Sequence, residues 1–481
     1  MDHIYSSFFI DGGWTAPTST ATATIRSAAT EQPIGRYPIG TPADADAAVH
    51  AAGRAFRESG WATWAPGRRA ELLERLADSL ESRADRTARI VSAQNGMPIA
   101  FSSVVEGQGP SGLLRYYSAL ARATELEERR PAVGAPGTTV VQKTPIGVVA
   151  AIPPWNFPAV LAMFKLAPAL AAGCTVVLKP SPETTLDAYV LADAAIEGGL
   201  PAGVLNIVTG GADIGQYLVA HPGIDKVAFT GSTSAGRHIA EACGRLLRPV
   251  SLELGGKSAA LILEDADVAA TVGGLATASL TNSGQTCYMS TRILAPQSRY
   301  DEFLDAITGM VGALPVGDPL DPGTFIGPLV SERQRQRVEH YIEAGRSEGA
   351  KLTTGGGRPH GLDTGWFVEP TVFGEVSNQA TIAREEIFGP VLAVIPYSSE
   401  DEAVAIANDS DYGLAGTVWT SDTERGLNIA RRVETGSFGV NGFTLDLGAP
   451  FGGVKASGLG RELGPEGLAA YFTTKSIYLP A

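Results

Sequence analysis

The sequence predicts an α/β fold built around a doubly wound parallel sheet, and three observations carry that prediction. Short β-branched runs alternate with helical stretches from about residue 147 onward. Gly, Pro or Ser marks the turns between them, and no segment repeats with the period of a solenoid or a propeller. Alternation of this kind means parallel strands joined by crossover helices, with ligands binding beyond the carboxyl ends of the strands.

Taken in order, residues 68–94 place Leu72, Leu73, Leu76 and Leu80 at helical spacing and predict one helix covering the sheet. Residues 147–152, 175–179, 204–208, 226–230 and 250–254 read as strands, and residues 159–172, 185–198, 213–220 and 234–247 as helices. Residues 265–280 read as a helix that leads to Cys287, and alternation to about residue 440 makes a second α/β unit. Residues 137–142 and 471–479 read as strands without a sequence neighbour, which invites a subunit partner.

Composition narrows the function classes. A chain of 481 residues with 44% hydrophobic content can bury more than one core. A formal charge of −14 argues against binding nucleic acid or an anionic membrane surface. Only Cys174, Cys243 and Cys287 are present, with no Cys-x-x-Cys spacing, so neither a disulfide framework nor a metal site is expected. The N-terminus has no basic segment leading into a long apolar one, and a cytoplasmic location is expected. The apolar run 159–178 is interrupted by Lys165, Pro168 and Gly173, so no membrane span is expected either.

Several residues point to chemistry. Cys287 closes a small, polar, glycine-containing run, SLTNSGQTC, where a partly exposed thiol can find backbone N–H groups to stabilise its thiolate. Glu253 lies inside an apolar strand just before two glycines; it is either a satisfied structural acid or a general base whose pKa burial has raised. Asn156, in PPWNFP, is either a turn residue or an amide donor to an oxyanion. GSTSAG (231–236) follows a strand and opens a helix, as a tight turn or as a phosphate cradle. Lysines are scarce, and Lys165, Lys179, Lys257 and Lys455 fall in strand ends, turns or glycine-rich segments. Lys179 can either be a solvated surface residue or reach the ribose of a dinucleotide.

Together these segments resemble the aldehyde dehydrogenase superfamily over nearly the whole chain. The match includes FIDGGW (9–14), PWNFP (154–158), FTGST (229–233), LELGGK (252–257), GQTC (284–287), EEIFGP (385–390) and PFGGVKASGLGR (450–461). The resemblance implies a dinucleotide-binding domain at 1–122 and 146–255, a catalytic domain at 256–446, and a small β oligomerisation element at 123–145 and 462–481. It implies that Cys287 attacks an aldehyde, that Asn156 and the Cys287 N–H hold the oxyanion, and that Glu253 activates water to release the acid. Lys165 and Glu462 match proton-relay positions. Ile152, Pro154, Trp155, Lys179, Ser181, Gly231, Ser232, Leu254 and Gly255 match the cofactor groove, and Glu386 and Phe388 the nicotinamide ribose site.

Many NAD-using members carry Glu three residues after the lysine; here that position is Pro182, followed by Glu183. NAD is the expected cofactor, with NADP open. Phe157, Phe164, Tyr288 and Phe451 are expected to line a tunnel for an apolar aldehyde, and a homodimer or homotetramer is expected. Two other readings are a cofactor-independent thiol esterase and a relative of this family that has kept the fold and lost catalysis.

Overall fold

The strand Val148–Ile152 turns Val149 and Ala151 into one apolar core and Val148, Ala150 and Ile152 into another. That period of two, apolar on both faces, is what a sheet covered by helices on each side requires. The structure is a computed structural model that describes residues 3–134 and 136–480. Met1, Asp2, Ala135 and Ala481, which fall within the predicted terminal and oligomerisation segments, lie outside the described residues.

Val148–Ile152 stands near the middle of an eight-stranded sheet. Its order is Gly458–Leu459, Val250–Glu253, Lys226–Thr230, Val148–Ile152, Thr175–Leu178, Leu205–Ile207, Phe8–Ile10, Gly13–Thr15. The five strands from Val250–Glu253 to Leu205–Ile207 run parallel, and the pairings outside them are antiparallel. The helices Pro66–Glu81, Gly109–Ala123 and Pro158–Ala172 bury their apolar stripes against one face. Pro42–Glu58, Ala212–Ala220 and Thr233–Arg245 cover the other.

Pro158 starts its helix with φ already set for it, and Gly173 ends it in the left-handed conformation at φ +99°. The apolar run is thereby divided into a 15-residue helix and a buried strand. Among the described residues no helix is long and apolar enough to cross a membrane.

A second sheet has the order Lys351–Thr354, Thr371–Gly374, Val391–Tyr397, Arg292–Pro296, Ala259–Ile262, Gly416–Trp419, Gly439–Val440, all parallel except the first. Leu261, Leu294 and Ala393 face one core; Ala260, Ile293 and Val394 face the other.

Three expectations change. The single helix expected over 68–94 is two, Pro66–Glu81 and Ala84–Asn95, because the leucine stripe stops at Leu80 and Arg83 takes non-helical angles before a new buried pair, Ile90 and Val91, begins. The strands near 137 and 471 do not lack a neighbour in the chain: Gly137–Pro145 pairs antiparallel with Phe472–Pro480 along its whole length and with Glu127–Pro131 on its other side, which leaves the outer edge of Phe472–Pro480 open. Lys165 lies at no strand end but in the middle of Pro158–Ala172, fully buried.

Candidate active site

Neighbouring parallel strands end side by side, and their registers place the site. Thr230 pairs with Glu253, Phe229 with Ile152, and Ala151 with Leu178, so Ile152, Lys179, Thr230 and Glu253 all stand at one edge of the sheet. A cleft of about 450 Å³ opens beyond this edge. Of the residues expected in the site, Pro154, Trp155, Asn156, Gly231, Ser232, Leu254, Gly255, Cys287, Glu386 and Phe388 line it. Ile152, Lys179, Ser181, Glu253, Lys165 and Glu462 stand behind or beside that lining rather than in it.

Cys287 arrives from the second half of the chain. After the helix Val268–Leu280 the backbone passes through three consecutive left-handed residues, Asn282, Ser283 and Gly284, at φ +55°, +57° and +72°. Such a turn persists only if its surroundings fix it. Asn282 Nδ2 donates to the Asn156 carbonyl at 3.1 Å, Ser283 Oγ to the Gly327 carbonyl at 2.9 Å, and the Gln285 side chain accepts from Val330 N–H at 3.0 Å.

A Cβ on Gly284 would lie 2.2 Å from the Gly389 carbonyl oxygen. Gly284→Ala is therefore expected to lower the melting temperature and to shift the thiol, cutting turnover on the order of 100-fold. Thermal melts and steady-state kinetics check both effects.

Asn156 is buried, and its Nδ2 donates to the Gln285 carbonyl at 2.9 Å, leaving its second N–H uncommitted among the described residues. Cys287 is half-buried. The backbone N–H groups of Cys287 and Tyr288 favour its thiolate, as expected from the sequence, but burial and the Glu386 and Glu253 carboxylates outweigh them and push the thiol well above its ordinary pKa.

Glu253 is 3% exposed, and neither carboxylate oxygen has a hydrogen-bond partner among the described residues. Gly452 makes room for it: a Cβ there would lie 2.6 Å from Glu253 Oε1. Burial, then the charge of Glu462, hold the Glu253 carboxyl well above the usual range. Glu462 accepts from Lys165 Nζ at 2.8 Å, and Lys165 donates in turn to Thr230 Oγ1 at 2.6 Å. A buried line of polar groups thus runs from the vicinity of Glu253 to Thr230, which lines the cleft.

Elsewhere in the cleft, Ser232 caps the helix Thr233–Arg245, its Oγ accepting from Ala235 N–H, so the positive end of that helix faces the cleft. The Glu386 carboxylate accepts from Gly256 N–H at 2.9 Å, and a Cβ on Gly255 would lie 2.5 Å from it. The two glycines of LELGGK are therefore a seat for a carboxylate 130 residues away. Trp155 and Phe388 meet edge to face at 5.2 Å.

Lys179 is buried, its Nζ donates to the Pro180 and Gly210 carbonyls at 2.9 and 3.1 Å, and burial pushes its pKa down to about 8. Ser181 Oγ donates to Glu183 at 2.7 Å.

Phe157, Phe164, Tyr288 and Phe451 share one apolar cluster that Cys287 borders. Tyr288 stacks on Phe443 at 4.8 Å and meets Phe451 edge-on at 6.2 Å. Sequence reading missed Phe443, and it missed Thr230, Arg333, Gln334 and Arg337 in the cleft. The last three lie on the helix Glu332–Ser347, whose charge-rich sequence reads as a solvent face.

Comparison with known proteins bears on this geometry. The aldehyde dehydrogenase family model matches residues 14–477. The chain is 56% identical over 479 residues to the geranial dehydrogenase of Castellaniella defragrans, covering 100% of this chain and 99% of that protein. Among solved structures, a Mycobacterium tuberculosis aldehyde dehydrogenase complexed with NAD+ matches with a TM-score of 0.98 at 47% identity, covering 100% and 99% of the two chains. A cysteine-to-alanine mutant of aldehyde dehydrogenase C from Pseudomonas syringae, complexed with NAD+ and octanal, matches with a TM-score of 0.94 at 40% identity, covering 98% and 96%. By the extent of these matches the chain belongs to the aldehyde dehydrogenase family, NAD(P)-dependent enzymes that oxidise aldehydes to carboxylic acids.

Proposed function

We propose that this protein oxidises an apolar aldehyde to its carboxylic acid through a thioester on Cys287, with NAD+ as the preferred hydride acceptor. The observation that carries the reading is a half-buried thiol and an uncommitted amide N–H lining one cleft, with an unpartnered buried carboxylate, Glu253, close behind.

The cleft suits a dinucleotide. The N-terminus of Thr233–Arg245, with Gly231 and Ser232, offers backbone N–H groups to a pyrophosphate. Pro154, Trp155 and Leu254 would supply the apolar groove wall with Ile152 behind it, Lys179 and Ser181 would serve the adenosine ribose, and Glu386 and Phe388 would hold the nicotinamide ribose. Gly255 carries no Cβ where Glu386 sits. NAD(P)+ bound there supplies the acceptor for the hydride that leaves the carbonyl carbon. The NAD+ complexes of the two related structures support NAD+ as the acceptor, while the Glu183 carboxylate after Lys179 is neutralised by Arg333 at 3.0 Å.

Cys287 gives up its thiol proton to water and its Sγ attacks the carbonyl carbon, opening the C=O π bond to give a thiohemiacetal oxyanion that the second N–H of Asn156 and the backbone N–H of Cys287 hold. Oxidation leaves a thioester. Glu253 then takes a proton from water, whose oxygen attacks the acyl carbon; the C–S bond breaks, the acid departs and Cys287 is restored. Lys165 and Glu462 pass the proton on from Glu253.

The aromatic wall of Tyr288, Phe443 and Phe451 supports an apolar substrate, as do the geranial dehydrogenase and octanal-bound relatives. The outer edge of Phe472–Pro480, with Tyr478 77% exposed, supports a homodimer or homotetramer with 123–145 and 462–481 as the assembling element. Three free cysteines support a cytoplasmic location.

A panel of terpenoid, aliphatic, aromatic and cationic aldehydes, each with NAD+ and NADP+, tests the reading by nicotinamide absorbance. Geranial and octanal with NAD+ are expected to give the highest kcat/KM; turnover confined to cationic aldehydes overturns the substrate class.

A further inference from the structure

Glu386 and Phe388 stand on a segment that no strand pairing shapes, and Phe388 is held at φ +62°, a conformation uncommon for a bulky side chain. One face of the helix Glu332–Ser347 grips this segment. Gln334, Arg337 and Tyr341 recur at the spacing that brings helical side chains to a common face. Gln334 Nε2 donates to the Phe388 carbonyl at 2.8 Å and to that of Ile387 at 3.3 Å. Arg337 Nη2 donates to the Glu386 carbonyl at 2.6 Å, and Tyr341 Oη donates to Glu385 at 2.7 Å. Arg337 is itself steadied by Tyr341, whose ring lies 5.0 Å from the guanidinium carbon and whose hydroxyl is 3.2 Å from Nη2.

We propose that Arg337 is the positioning residue that seats Glu386 for the cofactor, an inference that rests on the reading of Glu386 as a ribose contact. Arg337 is the one member of the grip that acts on Glu386 itself, through its carbonyl, while the Gly256 N–H fixes the carboxylate at the other end. It also acts through charge. Burial pushes the Glu386 carboxyl up to about 7, and Arg337 and Lys257 are the two cations that pull it down. Cys287 and Tyr412 are the other titratable groups that feel its charge. Without Arg337 the carboxyl takes up a proton at higher pH, and a protonated carboxyl accepts more weakly from ribose hydroxyls.

The test is equilibrium NAD+ binding to the purified enzyme, read by quenching of tryptophan fluorescence across mildly acid to mildly alkaline pH. Arg337→Met is expected to weaken binding by about tenfold near neutrality and to shift the pH dependence of affinity upward, with Arg337→Lys restoring most of both. Affinity and pH profile matching wild type in Arg337→Met, or no restoration by lysine, overturns the assignment. Glu386→Gln separates the two levels: wild-type NAD+ affinity in that variant removes the ribose-contact reading itself, whereas weakened binding there with unchanged binding in Arg337→Met removes only the role of Arg337.

Discussion

Cys287→Ala is expected to abolish aldehyde oxidation, lowering kcat/KM by at least about 10⁴-fold, and to leave NAD+ affinity within about twofold of wild type. The size follows from the chemistry, because deleting a covalent nucleophile removes the whole two-step route and not one interaction along it. Retention of NAD+ follows from the geometry. The groups assigned to the cofactor are set by the strand ends, by the cap of Thr233–Arg245 and by the seat of Glu386 on Gly256, none of which uses the thiol. The turn before Cys287 is pinned by Asn282, Ser283 and Gln285, so removing one sulfur atom leaves the loop in place. Steady-state kinetics with geranial and fluorescence titration with NAD+ check the two halves. Oxidation at near wild-type rates in the variant removes Cys287 as nucleophile, and a parallel loss of NAD+ binding shows that the thiol instead holds the cleft together.

The site was legible in the sequence where local chemistry conflicts with local pattern. Glu253 is an acid in a strand otherwise apolar, and Cys287 is a thiol in a small polar run; each conflict singles out a residue that the fold brings to the cleft or just behind it. The parallel sheet was legible because its strands are apolar on both faces and short helices separate them. What could not be read were pairings between distant segments. Phe472–Pro480 meets Gly137–Pro145 across more than 300 residues, and nothing in either strand names the other. Arg337 reads as one more charge on a polar helix, and only the fold brings it to the Glu386 carbonyl. The glycine pair 255–256 reads as a turn, although it makes the space in which a distant carboxylate is seated.

Glu253→Gln separates the two halves of the cycle. The amide cannot take a proton from water, and deacylation is expected to slow by about 10² to 10⁴-fold. Acylation should persist, because the Glu253 carboxylate is one of the two charges that push the Cys287 thiol up; removing it lets the thiol ionise at lower pH. The expected signature is a rapid burst of reduced nicotinamide followed by slow turnover, with the acyl group trapped on Cys287 and visible by mass spectrometry.

The pH dependence follows in sign. Burial and Glu462 raise the Glu253 carboxyl, so a base at this position would be protonated and idle in acid, and wild-type deacylation is expected to climb as pH rises through that raised pKa. The variant should lack this limb. Stability moves oppositely: a carboxyl whose folded pKa is raised contributes fully below its unfolded pKa, and the contribution is lost as pH rises through the folded value. The melting temperature of Glu253→Gln relative to wild type should therefore increase with pH. A burst of unchanged size with an unchanged steady-state rate leaves Glu253 without the role of base. A pH-independent difference in melting temperature shows instead that its carboxyl is not protonated in the fold.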